Sequence, residues 1–206
     1  MKNLRDRYEK KFNTKSSKLV IDKAWEFFVD KKIFPPSTDP DRFVYCVSIL
    51  YGHVLDIGSA DGYGALLMSK NPAIKTVTCL EIHDKAIAAA RENLKGIDNV
   101  TIVKGIGEEI PFVDKFDSIF CGQTLEHVFD DRKVLSEIKR LLKGIAVISV
   151  PIGAKGYGPE GVHVRKYEQE SFLDLIREYF EVSDVKFYPH VSIPLRGRLT
   201  VTCKII

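Results

Sequence analysis

A glycine-rich turn between an apolar run and a helical run constrains this chain more than any other stretch. Residues 54–64 read V-L-D-I-G-S-A-D-G-Y-G, so one acid, Asp56, interrupts the apolar run and three glycines follow closely. Glycine admits positive φ and lets the backbone approach a ligand. The run A-L-L-M that follows predicts a helix whose free N–H groups and positive dipole end face the turn. The stretch predicts a pocket for a nucleoside-like ligand, although a plain strand-to-helix turn would contain the same glycines.

The spacing of the glycines separates two kinds of nucleotide site. The dinucleotide fingerprint G-x-G-x-x-G, counted from Gly58, requires glycine where the chain has Ala60 and Tyr63. The chain instead fits an acid at the end of the first strand followed by G-x-G-x-G, with Ala60 replacing the middle glycine and Gly62 as the third. In this form the stretch resembles motif I of the class I S-adenosylmethionine-dependent methyltransferases.

A second predicted strand also ends in an acid. Residues 76–80 form a β-branched apolar run, and Glu81 follows it. In a doubly wound sheet an acid about 20 residues after the glycine turn reaches the ribose hydroxyls, and a carboxylate can accept two hydrogen bonds from a diol. We therefore expect Glu81 to bind the ribose and Ile82 to lie against the adenine. Asp84 is predicted to be the N-cap of an alanine-rich helix over 85–94.

Three later segments extend the resemblance in order along the chain. Residues 105–112 read G-I-G-E-E-I-P-F, residues 116–128 contain F-D-S-I and L-E-H-V, and residues 163–167 read H-V-R-K-Y. They resemble the type 11 and type 23 methyltransferase groups, which include O-methyltransferases of the ubiquinone pathway. Many relatives have an adenine-binding acid where this chain has Ile106. The resemblance thus implies that the adenine contact comes from the backbone, from Glu108 or from water.

The resemblance implies S-adenosylmethionine as the cofactor and S-adenosylhomocysteine as the product. Around this cofactor it places a set of residues from four loops: Asp56, Gly58, Ser59, Ala60, Gly62, Glu81, Ile82, Gly107, Glu108, Gln123 and Leu125.

Two histidines are the candidate catalytic residues. Methyl transfer from a sulfonium is an in-line displacement, so the protein mainly aligns donor and acceptor and, where necessary, removes the acceptor's proton. His127 and His163 are the candidate bases, because imidazole titrates near neutral pH. The alternative interpretations are a helix-start histidine bonded to the backbone for His127 and a solvent-facing loop histidine for His163.

A metal at this site is not expected. Some relatives hold a divalent ion beside the acceptor hydroxyl through E-x-x-E-H and further ligands. This chain has Gln123 where the first glutamate belongs, and a neutral amide is a poorer ligand for a hard cation than a carboxylate. We therefore predict no metal ligands.

The alternation of strand and helix signals predicts an α/β fold, with a helix over 65–70 after the glycine turn, a fifth strand over 145–150 and a glycine-rich loop over 151–161. The resemblance makes this fold specific. It implies a Rossmann-like doubly wound seven-stranded sheet, mostly parallel, with an antiparallel C-terminal hairpin. We expect a single domain over 1–206, with an N-terminal helical cap or lid over 1–40 and a cofactor-binding core over 41–206. A solvated helix face and ordinary core packing would explain the charges and aromatics of the N-terminal segment equally well.

Composition bounds the class of protein. The 206 residues are 45% hydrophobic and 29% charged, enough for one sizeable core, and the net charge is +3. No apolar run approaches the ~20 residues of a membrane span, so we expect a cytoplasmic protein without a membrane partner. The four cysteines lack C-x-x-C spacing and are expected to be buried free thiols.

Three functions follow from these patterns. The first is a methyltransferase that acts on an O, N or C atom, with a small molecule preferred over nucleic acid or protein as the acceptor. The second is a catalytically silent module that binds S-adenosylmethionine. This function is compatible with Ile106 and Gln123, which stand where many relatives have acids. The third is an NAD-dependent oxidoreductase, which is less favoured because Ala60 and Tyr63 replace two glycines of the dinucleotide fingerprint.

Overall fold

The computed structural model describes residues 40–153, 163–189 and 197–206. The expected N-terminal cap, apart from its last residue, and most of the glycine-rich loop over 151–161 lie outside the described residues. Within the described residues the helices are α1 (Pro40–Ile49), α2 (Tyr63–Met68), α3 (Asp84–Asn93), α4 (Asp131–Leu141) and α5 (Gln169–Arg177). The strands are β1 (Gly52–Ile57), β2 (Ile74–Glu81), β3 (Val100–Lys104), β4 (Phe116–Gly122), β5 (Leu142–Ile152), β6 (Phe180–Pro189) and β7 (Gly197–Ile205).

The strands form one sheet in the order β3-β2-β1-β4-β5-β7-β6. The first five strands pair in parallel, whereas β7 pairs antiparallel with both β5 and β6. This arrangement confirms the predicted doubly wound, mostly parallel sheet with an antiparallel C-terminal hairpin. The chain moves outward from β1 to β3 and then returns to place β4 on the other side of β1. The strand order therefore reverses between β1 and β4, which is where ligands bind in open α/β sheets.

Apolar residues of the strands alternate between two cores, one on each face of the sheet. In β1, Val54 packs with residues of α1, α2 and α3, whereas Leu55 and Ile57 pack with residues of α4 and α5. Side chains along a strand point to opposite faces, so this alternation buries both faces and covers each with helices.

Three local predictions needed correction. Asp84 is not the N-cap of α3: His83 occupies that position without a side-chain capping bond, and the Asp84 carboxylate instead contacts Lys104 Nζ at 2.5 Å. The helix predicted over 65–70 begins earlier, at Tyr63, and ends at Met68. The fifth strand, predicted over 145–150, is longer and begins directly after α4, because it pairs with β4 on one side and β7 on the other.

All four cysteines are buried free thiols, as predicted. None of the helices in the described ranges combines the length and the apolar character needed to cross a membrane.

Candidate functional site

The glycine turn leaves the carboxyl end of β1 and forms a loop with three residues in the left-handed region. The φ angles are +73° at Gly58, +51° at Ala60 and +81° at Gly62. Gly58 donates its N–H to the carbonyl of Leu80 at 2.8 Å, which ties the loop to the neighbouring strand β2. Ala60 is one of two non-glycine residues with positive φ in the described ranges. The departure from G-x-G-x-G therefore falls at a position where glycine is the favoured residue.

Glu81 at the end of β2 organises this loop. Its Oε2 accepts a hydrogen bond from the N–H of Ala60 at 2.9 Å, and its Oε1 accepts from the N–H groups of Ile82 and His83 at 2.8 and 2.9 Å. A carboxylate has about four acceptor positions, two on each oxygen. These three bonds therefore fill Oε1 and leave one acceptor position on Oε2, which lies on the loop side.

Asp56 is a buried acid on β1 beside this loop. Only 2% of the residue is exposed, and Asp56 pairs with Cys79 of β2 in the sheet. Burial, reinforced by the negative charge of Glu81, raises the pKa of Asp56 to about 7. The carboxyl is therefore close to half-protonated at neutral pH, and two carboxyls meet at the carboxyl ends of adjacent strands.

The loop after β3 contains two predicted site residues, Gly107 and Glu108, which lie in different surroundings. A Cβ added to Gly107 would lie 3.5 Å from Ile57 Cγ2, so this glycine lies at the end of β1. Glu108 is 1% exposed, and its Oε1 accepts hydrogen bonds from the N–H groups of Phe129 and Asp130 at 2.9 and 3.4 Å. That oxygen holds the β4–α4 connection.

Gln123 and Leu125 lie in the loop after β4. Gln123 has φ +56°, donates its N–H to the carbonyl of Ser149 at 2.7 Å and donates Nε2 to the Ser149 hydroxyl at 3.2 Å. The glutamine is thus fixed against β5. The side chain of Leu125 is fully buried in the core between the sheet and α4, while its carbonyl accepts hydrogen bonds from two later residues. Leu125 thus contributes packing and one backbone acceptor to the described structure.

The two predicted histidines lie together, although 35 intervening residues separate them in the sequence. The rings of His127 and His163 meet edge to face with centroids 4.8 Å apart. Glu126 completes the cluster, with its Oε1 3.8 Å from His127 Nε2. Side-chain ligand atoms of the three residues lie within 4.8 Å of one another. Two imidazole rings, which can accept a proton, and a buried carboxyl group therefore lie at one place.

Glu126 was not among the predicted site residues. It is 1% exposed, and its burial raises the pKa of this carboxyl to about 8, against the opposing charges of Arg42, Arg198 and Arg165. The L-E-H-V pattern contains this glutamate, but the burial that perturbs it depends on the tertiary structure.

Arg165 is a second residue that the sequence did not single out for the site. Its Nη1 donates to the carbonyls of Leu125 and Val128 at 2.7 Å each, and its Nη2 donates to the carbonyl of Phe129 at 2.9 Å. Its Nε lies 3.3 Å from Asp131 Oδ2. This guanidinium holds the segment that carries His163 against the turn that carries His127.

The residues around the glycine loop fit S-adenosylmethionine. The loop lies at the switch point of the sheet, and Glu81 keeps an acceptor position on the oxygen that faces the loop. Ile82 is half-buried directly after this acid and can offer an apolar surface. A hydroxyl donor and an apolar ring are therefore the groups that this edge of the sheet can take.

Comparison with known proteins supports this description. Residues 55–148 match the family model described as a methyltransferase domain, of type 11. The matched range begins within β1 and ends within β5, and so includes Asp56, Glu81 and His127.

Two curated relatives match part of the chain. An uncharacterised methyltransferase, YcgJ, from Bacillus subtilis is 34% identical over 57% of this chain and 47% of its own length. The ubiquinone/menaquinone biosynthesis C-methyltransferase UbiE of Rickettsia peacockii is 28% identical over 50% of this chain and 45% of its own length. The chain thus spans about half the length of these relatives.

A solved structure shares the fold. The S-adenosylmethionine-dependent methyltransferase of Aquifex aeolicus superposes with a TM-score of 0.67 at 22% identity, covering 86% of this chain and 97% of that one. Residues 55–148 are thus similar to methyltransferase domains of type 11, and the described fold is shared by a solved S-adenosylmethionine-dependent methyltransferase.

Proposed function

We propose that this protein moves the methyl group of S-adenosylmethionine to an O, N or C atom of a small molecule and releases S-adenosylhomocysteine. The observation that carries the proposal is the Glu81 carboxylate, which joins the loop of β1 to the end of β2 at the switch point of the sheet. The family match supports the cofactor and the reaction class.

The bound cofactor supplies an electrophilic methyl group. The chain's own residues do the rest by position: the loop from Gly58 to Gly62 presents backbone N–H groups, and Glu81 accepts a ribose hydroxyl on Oε2. Ile82 packs against the adenine. For the adenine amino group we favour a backbone or water contact over Glu108, because Glu108 Oε1 is engaged by the β4–α4 connection.

The histidine pair is the candidate proton acceptor. Where the acceptor atom is a hydroxyl or an amine, His127 or His163 takes its proton as the new bond forms. The Glu126 Oε1 lies 3.8 Å from His127 Nε2 and places a carboxyl group beside this ring. A carbon acceptor that is already nucleophilic would need this base only after methyl transfer.

We keep the prediction that no metal is required. Glu126, His127 and His163 lie close enough to share an ion, but three arginines place positive charge near the Glu126 carboxylate. Such charge opposes a divalent cation at short range. Purification without chelator, followed by elemental analysis and a thermal-unfolding scan with Mn²⁺, Zn²⁺ and Mg²⁺, is expected to show neither bound metal nor stabilisation. One tightly bound ion per chain would contradict this prediction.

A labelled-methyl experiment tests the acceptor class. The protein is incubated with S-adenosylmethionine labelled in the methyl group and with a cell extract separated into small molecules, nucleic acid and protein. Label is expected in the small-molecule fraction. Label in either other fraction alone would contradict that class. No transfer by a protein that binds S-adenosylhomocysteine would favour the silent binding module. The expected single domain and cytoplasmic location stay predictions.

A further inference from the structure

Thr124 lies at the point where the strand order reverses. The neighbouring strands β1 and β4 pair in parallel up to Asp56 and Phe120, and both chains leave the sheet shortly afterwards. The Thr124 hydroxyl lies 3.0 Å from the carbonyl of Ile57 at the end of β1 and 3.2 Å from the carbonyl of Gly122 at the end of β4. The hydroxyl has a single proton, which it can donate to either carbonyl or share between both, so one side chain links the two strand ends at the crevice.

The same side chain fills the space above Gly58. A Cβ added to Gly58 would lie 2.4 Å from Thr124 Oγ1 and 2.7 Å from Thr124 Cγ2, closer than real contacts allow. Gly58 is therefore required for two reasons, its φ of +73° and the threonine packed against it. The first glycine of the loop thus accommodates a side chain of this protein.

We propose that Thr124 is a positioning residue for the cofactor, holding the glycine loop at a fixed distance from the β4 loop. The contact series runs from Thr124 to Ile57 and Gly58 and then, through the Gly58 N–H, to the carbonyl of Leu80. The residue after Leu80 is Glu81, the proposed ribose ligand. This inference rests on the proposed cofactor site and adds to it a residue that contacts none of the expected cofactor groups in the proposal.

The physical argument is one of preorganisation. A binding constellation loses affinity when its backbone groups move by a fraction of an ångström, so the residues that lock them contribute without touching the ligand. Thr124 locks the loop through a hydrogen bond and a methyl contact, and these two contributions can be separated by substitution. Valine keeps the shape and removes the hydroxyl, whereas serine keeps the hydroxyl and removes the methyl group.

The test is a calorimetric titration of the full chain with S-adenosylhomocysteine. Thr124→Val is expected to weaken binding roughly tenfold, the order of one lost hydrogen bond, and Thr124→Ser is expected to stay within about threefold of the wild type. Thr101→Val, at an exposed position of β3, is the matched control and should bind as the wild type does. Gly58→Ala tests the same contact from the other side and should weaken binding at least as much as Thr124→Val.

The outcomes separate this inference from the function on which it rests. A wild-type chain that does not bind S-adenosylhomocysteine overturns both. Wild-type binding with unchanged affinity in Thr124→Val overturns the positioning role alone, even if that variant unfolds at a lower temperature. Equal losses in Thr124→Val and Thr124→Ser would overturn the role of the hydroxyl. If Thr124→Val does not fold, Thr124→Ser and Gly58→Ala decide: wild-type affinity in Gly58→Ala overturns the inference.

Discussion

The backbone N–H of Ala60 donates a hydrogen bond to the Glu81 carboxylate at 2.9 Å, and this bond joins the loop after β1 to the end of β2. The same carboxylate accepts from the N–H groups of Ile82 and His83. The acid thus fixes the loop and still has one acceptor position on Oε2. Because Glu81 orders the loop and is also the proposed ribose ligand, a small change in its side chain should weaken binding of the cofactor.

Glu81→Gln is that change. The amide keeps the size of the side chain but offers a single oxygen, and its NH2 group would face a backbone donor. We expect the affinity for S-adenosylhomocysteine to fall more than about tenfold, on the order of a lost charged hydrogen bond. Glu92→Gln, at an exposed position of α3, is the matched control. Equal affinities of the two variants in calorimetry would count against Glu81 as the ribose ligand.

Asp56 makes the stability of the ligand-free protein dependent on pH. Burial raises the pKa of this carboxyl from 3.8 to about 7, so above about pH 4 the native state retains a proton that the unfolded chain has released. The free energy of unfolding should therefore fall as pH rises from about 4 to about 7, and this contribution should level off above that range. Asp56→Asn should flatten the profile.

Urea unfolding of the wild type and of Asp56→Asn at several pH values between 4 and 8 measures this effect. Asp98→Asn is the control, because this aspartate is exposed in the turn before β3. Burial also raises the pKa of Glu126, to about 8, so this residue too lowers the free energy of unfolding as pH rises. The Asp56→Asn profile should therefore keep part of the decline seen in the wild type. Parallel profiles for the wild type and Asp56→Asn would show that Asp56 titrates normally.

Arg165 should contribute strongly to the geometry of the histidine pair. Its guanidinium donates to three backbone carbonyls in fixed directions, and lysine has a single nitrogen that cannot reach all three. We expect Arg165→Lys to lower the free energy of unfolding by about 1 to 3 kcal/mol and to weaken the nuclear Overhauser effect between the rings of His127 and His163.

The control for this variant is Arg177→Lys. Arg177 is exposed on α5 and pairs with Asp174 one turn away, an arrangement that lysine can reproduce. The two variants should therefore differ in both thermal unfolding and the ring contact. An Arg165→Lys protein that matches Arg177→Lys in both measurements would show that the carbonyl contacts do not position His163.

The positions of the two acids near the strand ends could be predicted from the sequence, whereas the directions of the loop side chains could not. Asp56 and Glu81 each follow apolar runs, and parallel strands bring such ends to one edge of the sheet. Glu108 and Leu125 were expected around the cofactor from the resemblance alone. Where a loop side chain points depends on its partners: Glu108 contacts the β4–α4 connection, and Leu125 packs into the core.

Other features needed the tertiary structure for a different reason. Glu126 and Arg165 lie near the histidines because the segment after β5 packs against the turn after β4. Val164 donates its N–H to the carbonyl of Glu126 at 2.7 Å in this contact. Ala60 shows the opposite case. Its substitution for glycine was visible in the sequence, but its φ of +51° shows that the loop keeps a glycine-like conformation there.

The central claim is that the loop from Gly58 to Gly62, with Asp56 and Glu81, binds S-adenosylmethionine. Calorimetric titration of the purified chain with S-adenosylhomocysteine and, separately, with NAD tests it most directly. We predict saturable binding of S-adenosylhomocysteine with one ligand per chain, and no heat of binding with NAD. Binding of NAD without binding of S-adenosylhomocysteine would contradict the claim.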